Sequence, residues 1–371
     1  MMVLNQSILT KYDSSGMYKI YDKWPELARE SYESNIDSVD FPDVDHIVFA
    51  GMGGSGAIGD IFSSILSSTN IHVNVVKGYV LPKTVDSNTL VVPTSISGNT
   101  TETLCILDLA KKIGCKIIAF SSGGKIQEYC ANNRIEYRRI PQFHSPRASF
   151  PSFLYSMLKT LGTLINLKRE EVMESISELE NLGKKISSFN LTKENTSLNL
   201  AQWMTGIPMI YYPFGLQAAA IRFKNSLQEN AKTHAMIEDV VEACHNNIVS
   251  WEKLSNATAI LIEGNDDHIK TKERWKILKE YFEMNKIDYR EVFSGKGSIL
   301  SKLIKLVYLL DYATIYLAID SRLDPSPVSS IDFVKHRENI QSLELASRRL
   351  SSDRHRLHDK MKPGDTSKDK V

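Results

Sequence analysis

Two segments of the sequence place glycines and hydroxyl side chains directly after short apolar runs, a combination suited to binding an anion. In the first segment, residues 47–60 (IVFAGMGGSGAIGD), four glycines and a serine separate two apolar patterns. This order predicts a buried strand, a tight turn and then a helix. Glycine lets the backbone adopt positive φ angles and lets a ligand approach it closely. The free N–H groups at the start of such a helix hold anions, most often phosphate.

The second segment, residues 94–103 (TSISGNTTET), lies at another predicted turn from a strand into a helix. A single serine or threonine at a helix start usually caps the helix, and Thr100 or Thr101 is predicted to do so here. Several hydroxyl groups beside a glycine can instead surround a phosphate dianion with short hydrogen bonds. The hydroxyl groups available for this are those of Ser95, Ser97, Thr100 and Thr101.

The glycine spacing of the first segment is also compatible with a dinucleotide site. Gly51, Gly53 and Gly56 fit the pattern G-x-G-x-x-G. A dinucleotide-binding fold then requires an acidic residue about 20 residues later, at the end of its second strand, to bind the ribose. The segment 71–79 (IHVNVVKGY) supplies Lys77 there instead. This difference argues against a bound nucleotide, and no cofactor is expected.

Both segments belong to a regular alternation of predicted strands and helices. Such an alternation predicts βαβ units, and therefore parallel sheets covered on both faces. The predicted fold class is α/β, with two tandem domains that each contain a mainly parallel sheet flanked by helices. In the first half, strands are predicted at 47–50, 71–76, 89–94, 116–120 and 135–140, and helices at 24–35, 101–113 and 148–182. In the second half, strands are predicted at 208–212, 258–263 and 289–293, and helices at 215–229, 268–284 and 299–319.

The polar segment 183–195 is predicted to link the two halves. We predict a first domain at 1–190 that carries the phosphate-binding loops and a second domain at 191–347. Residues 348–371 are charged with few apolar side chains, and they are predicted to form a tail without a packed core.

The composition of the chain is that of an ordinary globular protein, with 371 residues, 42% hydrophobic, 24% charged and a formal net charge of +1. This charge balance gives no electrostatic basis for binding nucleic acid or an anionic membrane. No signal peptide is expected, and no uncharged apolar run approaches the ~20 residues of a membrane helix. The four cysteines lack C-x-x-C spacing, so neither a disulfide framework nor a zinc site is predicted. A cytoplasmic location is expected.

The segments GMGGSG and SISGNTTET, taken together, resemble the sugar isomerase (SIS) domain, which binds phosphosugars. Several further short segments resemble the bifunctional phosphoglucose/phosphomannose isomerases of archaea and bacteria, and the resemblance extends over about residues 40–340. It implies two tandem SIS domains and a homodimer with sites at the domain and subunit interfaces. The further matching segments are SPRA at 145–148, QENAK at 228–232, ACHNN at 243–247 and IDFVK at 331–335.

The resemblance implies an isomerase that interconverts glucose 6-phosphate, and also mannose 6-phosphate, with fructose 6-phosphate. The implied mechanism is a metal-independent proton transfer through a cis-enediol or enediolate. Glu229 matches the base that moves the proton, and Arg147 matches the cation that offsets the enediolate charge. His245 matches the histidine that opens the sugar ring, which the partner subunit contributes in this family. Lys335 matches a lysine that assists ring opening.

Each of these residues also has an ordinary structural explanation. Glu229 could be a solvated residue at a helix end, and Arg147 an exposed loop arginine. Lys335 could be a solvated helix lysine, and His245 is one of nine histidines, with His234 nearby. Residue 244, where the family often has a second histidine, is Cys244.

The 6-phosphate is expected to be held at the two glycine-containing segments, and no metal ligand cluster is predicted. The family also has a small hydroxyl residue about seven positions before the lysine, which is thought to accommodate the C2 epimer. Here that position is Val328, with Ser326 and Ser329 nearby, so activity on glucose 6-phosphate is implied more directly than activity on mannose 6-phosphate. The expected phosphate-binding residues are Gly53, Gly54, Ser55, Ser95, Ser97 and Thr100.

Two other functions use the same domain type. A non-catalytic phosphosugar-binding regulator is the main alternative, but residues 1–45 are too short and too neutral for the DNA-binding domain that normally precedes it. The isomerase half of an amidotransferase is another, but the sequence shows no preceding glutaminase domain.

Overall fold

The first sheet is formed by the short apolar segments predicted above, paired side by side in parallel. A computed structural model describes residues 3–253 and 255–337 of the chain. The strand order of this sheet is β2-β1-β3-β4-β5, and every pairing is parallel. The two central strands β1 and β3 are buried along their whole length, as continuous apolar runs predict. The strands are β1 His46–Ala50, β2 His72–Val76, β3 Leu90–Ser95, β4 Lys116–Ser121 and β5 Glu136–Arg139.

Eight helices accompany this first sheet in the described residues. The predicted helix at 101–113 has the bounds expected from its apolar spacing, whereas two short N-terminal helices and the helix after β4 were not predicted. The helices are α1 Gln6–Tyr12, α2 Met17–Asp22, α3 Trp24–Glu33, α4 Gly53–Leu66, α5 Thr101–Ile113, α6 Gly124–Asn133, α7 Phe150–Leu161 and α8 Arg169–Ile186.

The second sheet has four parallel strands in the order β7-β6-β8-β9, which confirms the prediction of two parallel sheets flanked by helices. The edge strand β7 was not predicted, because its sequence MIED is short and polar at one end. The strands are β6 Ile207–Tyr212, β7 Met236–Asp239, β8 Ala257–Glu263 and β9 Tyr289–Phe293. The helices are α9 Thr196–Trp203, α10 Gln217–Glu229, α11 Val240–Ala243, a 3₁₀ helix at Asn247–Glu252, α12 Ile269–Met284 and α13 Ile299–Asp320.

Helix α13 is the centre of the largest hydrophobic core, and it contacts α8, α9 and α10. This core contains residues from both halves of the chain, so the two sheets are joined through shared helices. The predicted link at 183–195 is fixed here by Asn195, which is fully buried and donates hydrogen bonds to the carbonyls of Ile186 and Asn190. These contacts do not test the predicted boundary between the two domains near residue 190, which stays a prediction.

Of the residues that the structure describes, those up to Ser326 form one compact unit, and residues 327–337 belong to a second. Within the second unit, residues 329–337 are helical. The predicted charged tail at 348–371 lies outside the described residues.

Glu263, at the end of β8, has an unusual environment outside the predicted site. It lines a cavity of about 930 Å³ between α12 and β9, and its Oε1 lies 3.1 Å from the Nζ of Lys279. Burial, and secondly a hydrogen bond with Glu291, raise the pKa of Glu263 to about 7, although Lys279 opposes this. Burial also acts to raise the pKa of Glu291, but hydrogen bonds with Lys279 and Glu263 lower it overall.

We predict that Glu263 makes the protein less stable as pH rises from about 4.5 to about 7, because only the folded state keeps this proton in that range. The lowered pKa of Glu291 acts below its ordinary value of 4.5, outside the same range. The free energy of unfolding of Glu263→Gln, minus that of wild type, should therefore increase by roughly 1–3 kcal/mol from about pH 5 to about pH 8.

Urea denaturation of both proteins at the two pH values measures this difference. Glu280→Gln, which changes an exposed carboxylate lining the same cavity, is the control. An equal stability difference for Glu263→Gln at both pH values would contradict the prediction.

Candidate functional site

The two glycine-containing turns lie side by side at the carboxyl edge of the first sheet. β1 and β3 are neighbours and run parallel, so the turns that follow them meet at one edge. The strand order reverses between these two strands, and crevices at such a switch point are where open α/β sheets bind ligands. Within the described chain, neither α4 nor α5 has a side-chain hydrogen bond capping its N-terminus. The first N–H groups of both helices therefore face this crevice without a capping side chain.

The turn after β1 depends on glycine for both its conformation and its packing. Gly53 has a φ of 52° and is exposed. A Cβ on Gly51 would lie 2.8 Å from the carbonyl oxygen of Thr94, so a larger residue would push β1 and β3 apart. Ser55 is buried, and its Oγ accepts a hydrogen bond from the backbone N–H of Ile96 at 3.2 Å. This bond connects the two turns directly.

The turn after β3 is organised by its hydroxyl groups. The Oγ of Ser95 lies 2.8 Å from the Oγ1 of Thr100 and accepts a hydrogen bond from the N–H of Gly98 at 3.1 Å. Thr100 occupies the N-cap position of α5, but the prediction that Thr100 or Thr101 caps the helix through its side chain is wrong. The Thr100 hydroxyl pairs with Ser95 instead. Ser97 is exposed at the tip of the turn, and its Oγ accepts from the N–H of Asn99 at 3.4 Å.

The structure thus brings all the predicted phosphate-binding residues to one edge of one sheet. Two of them, Ser55 and Ser95, are buried, and the other four are half-buried or exposed. The residues at this edge are Gly53, Gly54, Ser55, Ser95, Ser97 and Thr100.

Arg147 is buried, with 5% of its surface exposed, so it is not an ordinary exposed loop arginine. Its Nε donates to the Oδ1 of Asn230 at 2.6 Å. Its Nη2 donates to the carbonyl oxygens of Pro325 at 2.6 Å and Ser326 at 2.9 Å. Nη1 is directed to the Oε2 of Glu229 at 3.5 Å. The structure therefore brings together two predicted catalytic residues that are far apart in sequence.

Glu229 is the last residue of α10, and 26% of its side chain is exposed, so its carboxylate is partly accessible. The phosphate-binding turns are adjacent, because a Cβ on Gly54 would lie 3.5 Å from the Cα of Arg147. A carboxylate, a guanidinium and the edge that carries the two glycine-containing turns therefore occupy neighbouring positions.

Lys232 is a residue of this site to which the sequence analysis gave no role. It has a φ of 56°, and its Nζ donates to the carbonyl of Glu229 at 2.7 Å and to those of Asp324 and Pro325 at 3.3 Å. Burial, together with repulsion from Arg147, lowers the pKa of Lys232. The ammonium group joins the end of α10 to the segment that also binds Arg147, so it stabilises the local backbone around Glu229.

Three buried polar residues behind the site were also not singled out from the sequence. Asn230 binds the guanidinium of Arg147, and Arg222 donates from its Nη2 to the carbonyl oxygen of Arg147 at 2.8 Å. Arg222 in turn pairs with Asp311 at 2.7 Å. The sequence did hold a sign of Asp311's burial, because this acidic residue stands in the middle of the 22-residue, mainly apolar helix α13.

His245 does not join this group within one chain. It follows α11 in the second half, it is exposed, and among the described residues its side chain makes no hydrogen bond or ion pair with Glu229 or Arg147. Val241 and Val249 nearby are 39% and 57% exposed. Lys335 is exposed in the helical segment 329–337, which belongs to the second unit. The roles of His245 and Lys335 stay predictions.

Two other kinds of feature, a metal-binding cluster and a membrane-spanning helix, are absent from the described residues. The described part of the chain holds no cluster of three or more histidine, cysteine, aspartate or glutamate side chains placed to bind a metal ion. Across residues 3–253 and 255–337, no helix combines the length and the apolar character that a bilayer crossing requires.

Comparison with known protein families matches both halves of the chain. Residues 41–140 match the SIS domain, and residues 193–337 match the bacterial phospho-glucose isomerase C-terminal SIS domain. Both phosphate-binding turns lie in the first match, and Glu229, His245 and Lys335 lie in the second.

Individual relatives extend over nearly the whole chain. A bifunctional phosphoglucose/phosphomannose isomerase of Caldicellulosiruptor bescii is 33% identical over 86% of this chain and 98% of its own length. A protein of the same name from Aquifex aeolicus is 30% identical over 86% of this chain and 95% of its own. Among solved structures, a hypothetical protein of Thermus thermophilus superposes with a TM-score of 0.70 at 15% identity, covering 91% of this chain and 93% of its own. That structural likeness concerns the fold alone.

The turn after β3 has no room for a side chain at Gly98, which leads to a prediction about the stability of the protein. Gly98 has a φ of 71°, and a Cβ there would lie 1.8 Å from the carbonyl oxygen of Gly123. Gly98→Ala should lower the free energy of unfolding by about 2 kcal/mol or more, because backbone strain and a backbone clash add together.

Gly53→Ala is the matched control. Its φ is also positive, but the described structure has no atom within 4 Å of its Cβ position, so strain alone should cost roughly 1 kcal/mol. Thermal and urea unfolding of both variants measure the difference. Equal destabilisation by the two substitutions would show that the clash at Gly98 does not exist in solution.

Proposed function

This chain belongs to the bifunctional phosphoglucose/phosphomannose isomerase family, and we propose that it interconverts glucose 6-phosphate and mannose 6-phosphate with fructose 6-phosphate. It is an intramolecular aldose–ketose isomerase. The observation that carries the proposal is the pairing of Glu229 with Arg147 at 3.5 Å beside an edge suited to phosphate. The aldose and ketose are isomers, so the reaction requires neither an oxidant nor a reductant.

The 6-phosphate is the anchor of the substrate in this proposal. Helix N-termini favour anions, and neutral hydroxyl groups suffice here because no phosphoryl group is transferred. Ser55 and Ser95 fix the two turns, and Ser97 and Thr100 are the more accessible hydroxyls. Backbone N–H groups near Gly53 and Gly54 would complete the phosphate site.

Glu229 is the base that moves the proton. Its carboxylate removes the proton from C2 of the open-chain aldose, the C–H electrons form the C1=C2 double bond, and the carbonyl electrons move onto O1 to give the enediolate. The hydroxyl proton on O2 then passes to O1, and the protonated Glu229 returns its proton to C1 as the C2 carbonyl of the ketose forms. The Nη1 of Arg147 can stabilise the negative oxygen that develops, because its 3.5 Å contact with Glu229 is long enough for a substrate oxygen to compete for it.

His245 is proposed to open the sugar ring from the partner subunit of a homodimer. The support is its exposed position next to exposed apolar side chains, Val241 and Val249, since such patches often mark subunit interfaces. An imidazole can donate or accept the ring-oxygen proton near neutral pH. Lys335 is proposed to assist ring opening, supported by its exposed position on a helical segment.

The cellular setting belongs to the same proposal. A metal-independent isomerase of 6-phosphosugars fits glycolysis and gluconeogenesis in the cytoplasm. The non-catalytic alternative, a phosphosugar-binding regulator, predicts binding without turnover. Incubation with fructose 6-phosphate, followed by assay for aldose phosphates with and without EDTA, separates the two: aldose formation that EDTA does not reduce supports the isomerase.

We predict that Glu229→Gln lowers kcat by at least about 10³-fold, because an amide cannot accept the C2 proton. Binding of 6-phosphosugars should persist, since the phosphate-binding turns are unchanged. Steady-state kinetics with fructose 6-phosphate and calorimetry with a 6-phosphosugar measure both quantities. Glu280→Gln, which changes an exposed glutamate remote from these turns in sequence, is the control and should keep normal turnover. Normal turnover by Glu229→Gln would show that another residue is the base.

The proposal that His245 acts in the site of the partner subunit leads to a second prediction. In a heterodimer of one Glu229→Gln subunit and one His245→Ala subunit, one of the two sites keeps both wild-type residues if the histidine crosses the interface. We expect about half the wild-type activity in this purified heterodimer, compared with little activity in either variant homodimer.

Co-expression with two different affinity tags supplies the heterodimer. An inactive heterodimer would show that His245 acts within its own chain, and a fully active His245→Ala homodimer would show that it has no role in the reaction.

A further inference from the structure

A fully buried ion pair joins α10 and α13 behind the candidate site. Arg222 and Asp311 are 2% and 0% exposed. Arg222 donates to the Oδ2 of Asp311 from Nε at 3.0 Å and from Nη2 at 2.7 Å. The other carboxylate oxygen accepts a hydrogen bond from the Oγ of Ser226 at 2.7 Å. Because breaking such a pair is costly, it restricts how α10 can rotate or slide against α13.

The same guanidinium also touches both parts of the proposed active site. The Nη2 of Arg222 donates to the carbonyl oxygen of Arg147 at 2.8 Å. Its Nη1 lies 3.7 Å from the Cβ position of Gly54, at the start of α4. Trp24 binds the next carbonyl along, that of Ala148, at 2.9 Å. Arg222 therefore stands between the backbone of Arg147 and the first phosphate-binding turn.

A second branch reaches the side chain of Arg147 from the same turn of α13. The Oγ1 of Thr314 donates to the carbonyl of Asp311 at 2.7 Å and accepts from the Nδ2 of Asn230 at 2.9 Å. The Oδ1 of Asn230 accepts from the Nε of Arg147 at 2.6 Å. One turn of α13 thus supports Arg147 at its backbone and at its guanidinium.

The pair also sets the charge near the phosphate-binding turn. Burial acts to lower the pKa of Arg222, but attraction to Asp311 and Tyr21 and the hydrogen bond with Asp311 together raise it overall, so the guanidinium stays charged. Asp311 balances this charge in the folded protein. Removing the carboxylate alone would leave a positive charge close to the N-terminus of α4, where the dipole already favours anions.

We propose that Asp311 is a positioning residue for the reaction: through Arg222 it holds Arg147 against Glu229, and it balances the charge of Arg222 beside the phosphate-binding turn. Asp311 does not touch the substrate in this proposal. The proposal rests on the proposed function, because it assigns the role of Asp311 to the placement of the Glu229–Arg147 pair.

The test is Asp311→Asn in the full-length protein, assayed with fructose 6-phosphate and with inorganic phosphate as inhibitor. We expect kcat to fall about 10- to 100-fold, because small displacements of a catalytic group have effects of this size. The inhibition constant of phosphate should stay the same or decrease, because the unbalanced guanidinium attracts the anion. A kcat within about twofold of wild type, or a parallel loss of kcat and phosphate affinity, would overturn the proposal.

A second variant covers the case in which Asp311→Asn does not fold. The double variant Arg222→Met with Asp311→Leu replaces the pair by apolar side chains, an exchange that is often tolerated in protein cores. It should fold but keep the low kcat, since the Arg147 carbonyl has lost its donor. Recovery of kcat to within about twofold of wild type would show that the pair serves stability alone.

Asp266→Asn is the control, since it removes the ion pair that the exposed Asp266 makes with Lys302 of α13. It should leave kcat and phosphate inhibition unchanged. The wild-type protein distinguishes failure of the proposed function from failure of the role of Asp311. Absence of turnover in wild type refutes the proposed function. Turnover in wild type together with an unchanged kcat in Asp311→Asn refutes only the role of Asp311.

Discussion

The fixed position of Arg147 is the constraint on which the rest of the site depends. Its guanidinium has donors in a rigid planar fork, and three partners hold it: Asn230 and the carbonyls of Pro325 and Ser326. These partners come from the end of α10 and from the chain after α13, which are 83 and 178 residues away from Arg147 in sequence. With these bonds made, one nitrogen remains directed to Glu229. A flexible lysine could not hold this arrangement.

The topology of the first sheet supplies the other half of the site. The reversal of strand order between β1 and β3 opens a crevice at their carboxyl ends, where α4 and α5 begin. The bond from Ile96 to Ser55 fixes one turn against the other, so the two helix starts act together. Because α4 also packs against α10, the anion-binding edge and the helix that carries Glu229 keep a defined relation. The two glycine-containing turns and Glu229 thus belong to one connected scaffold.

The sequence predicted those features that depend on local patterns. Continuous apolar runs identified the buried strands, and regular apolar spacing identified α5 with its observed bounds. The short strand β7 carries too little apolar signal to be recognised. The predicted capping by Thr100 failed because the hydroxyl of Ser95, five residues earlier in the same turn, pairs with the Thr100 hydroxyl instead. Arg222, Asp311 and Lys232 escaped notice because their roles arise from partners that are distant in sequence or from backbone carbonyls.

The central claim is that the phosphate of a 6-phosphosugar binds at the edge formed by the turns after β1 and β3 and presents C1 and C2 to Glu229. A crystal structure of the dimeric protein with fructose 6-phosphate measures this directly. We expect phosphate oxygens within hydrogen-bond distance of these turns, with C1 and C2 next to the Glu229 carboxylate and Arg147 beside the oxygens on those two carbons. A phosphate bound elsewhere, for example in the cavity beside Glu263, with Glu229 out of reach of both carbons, would contradict it.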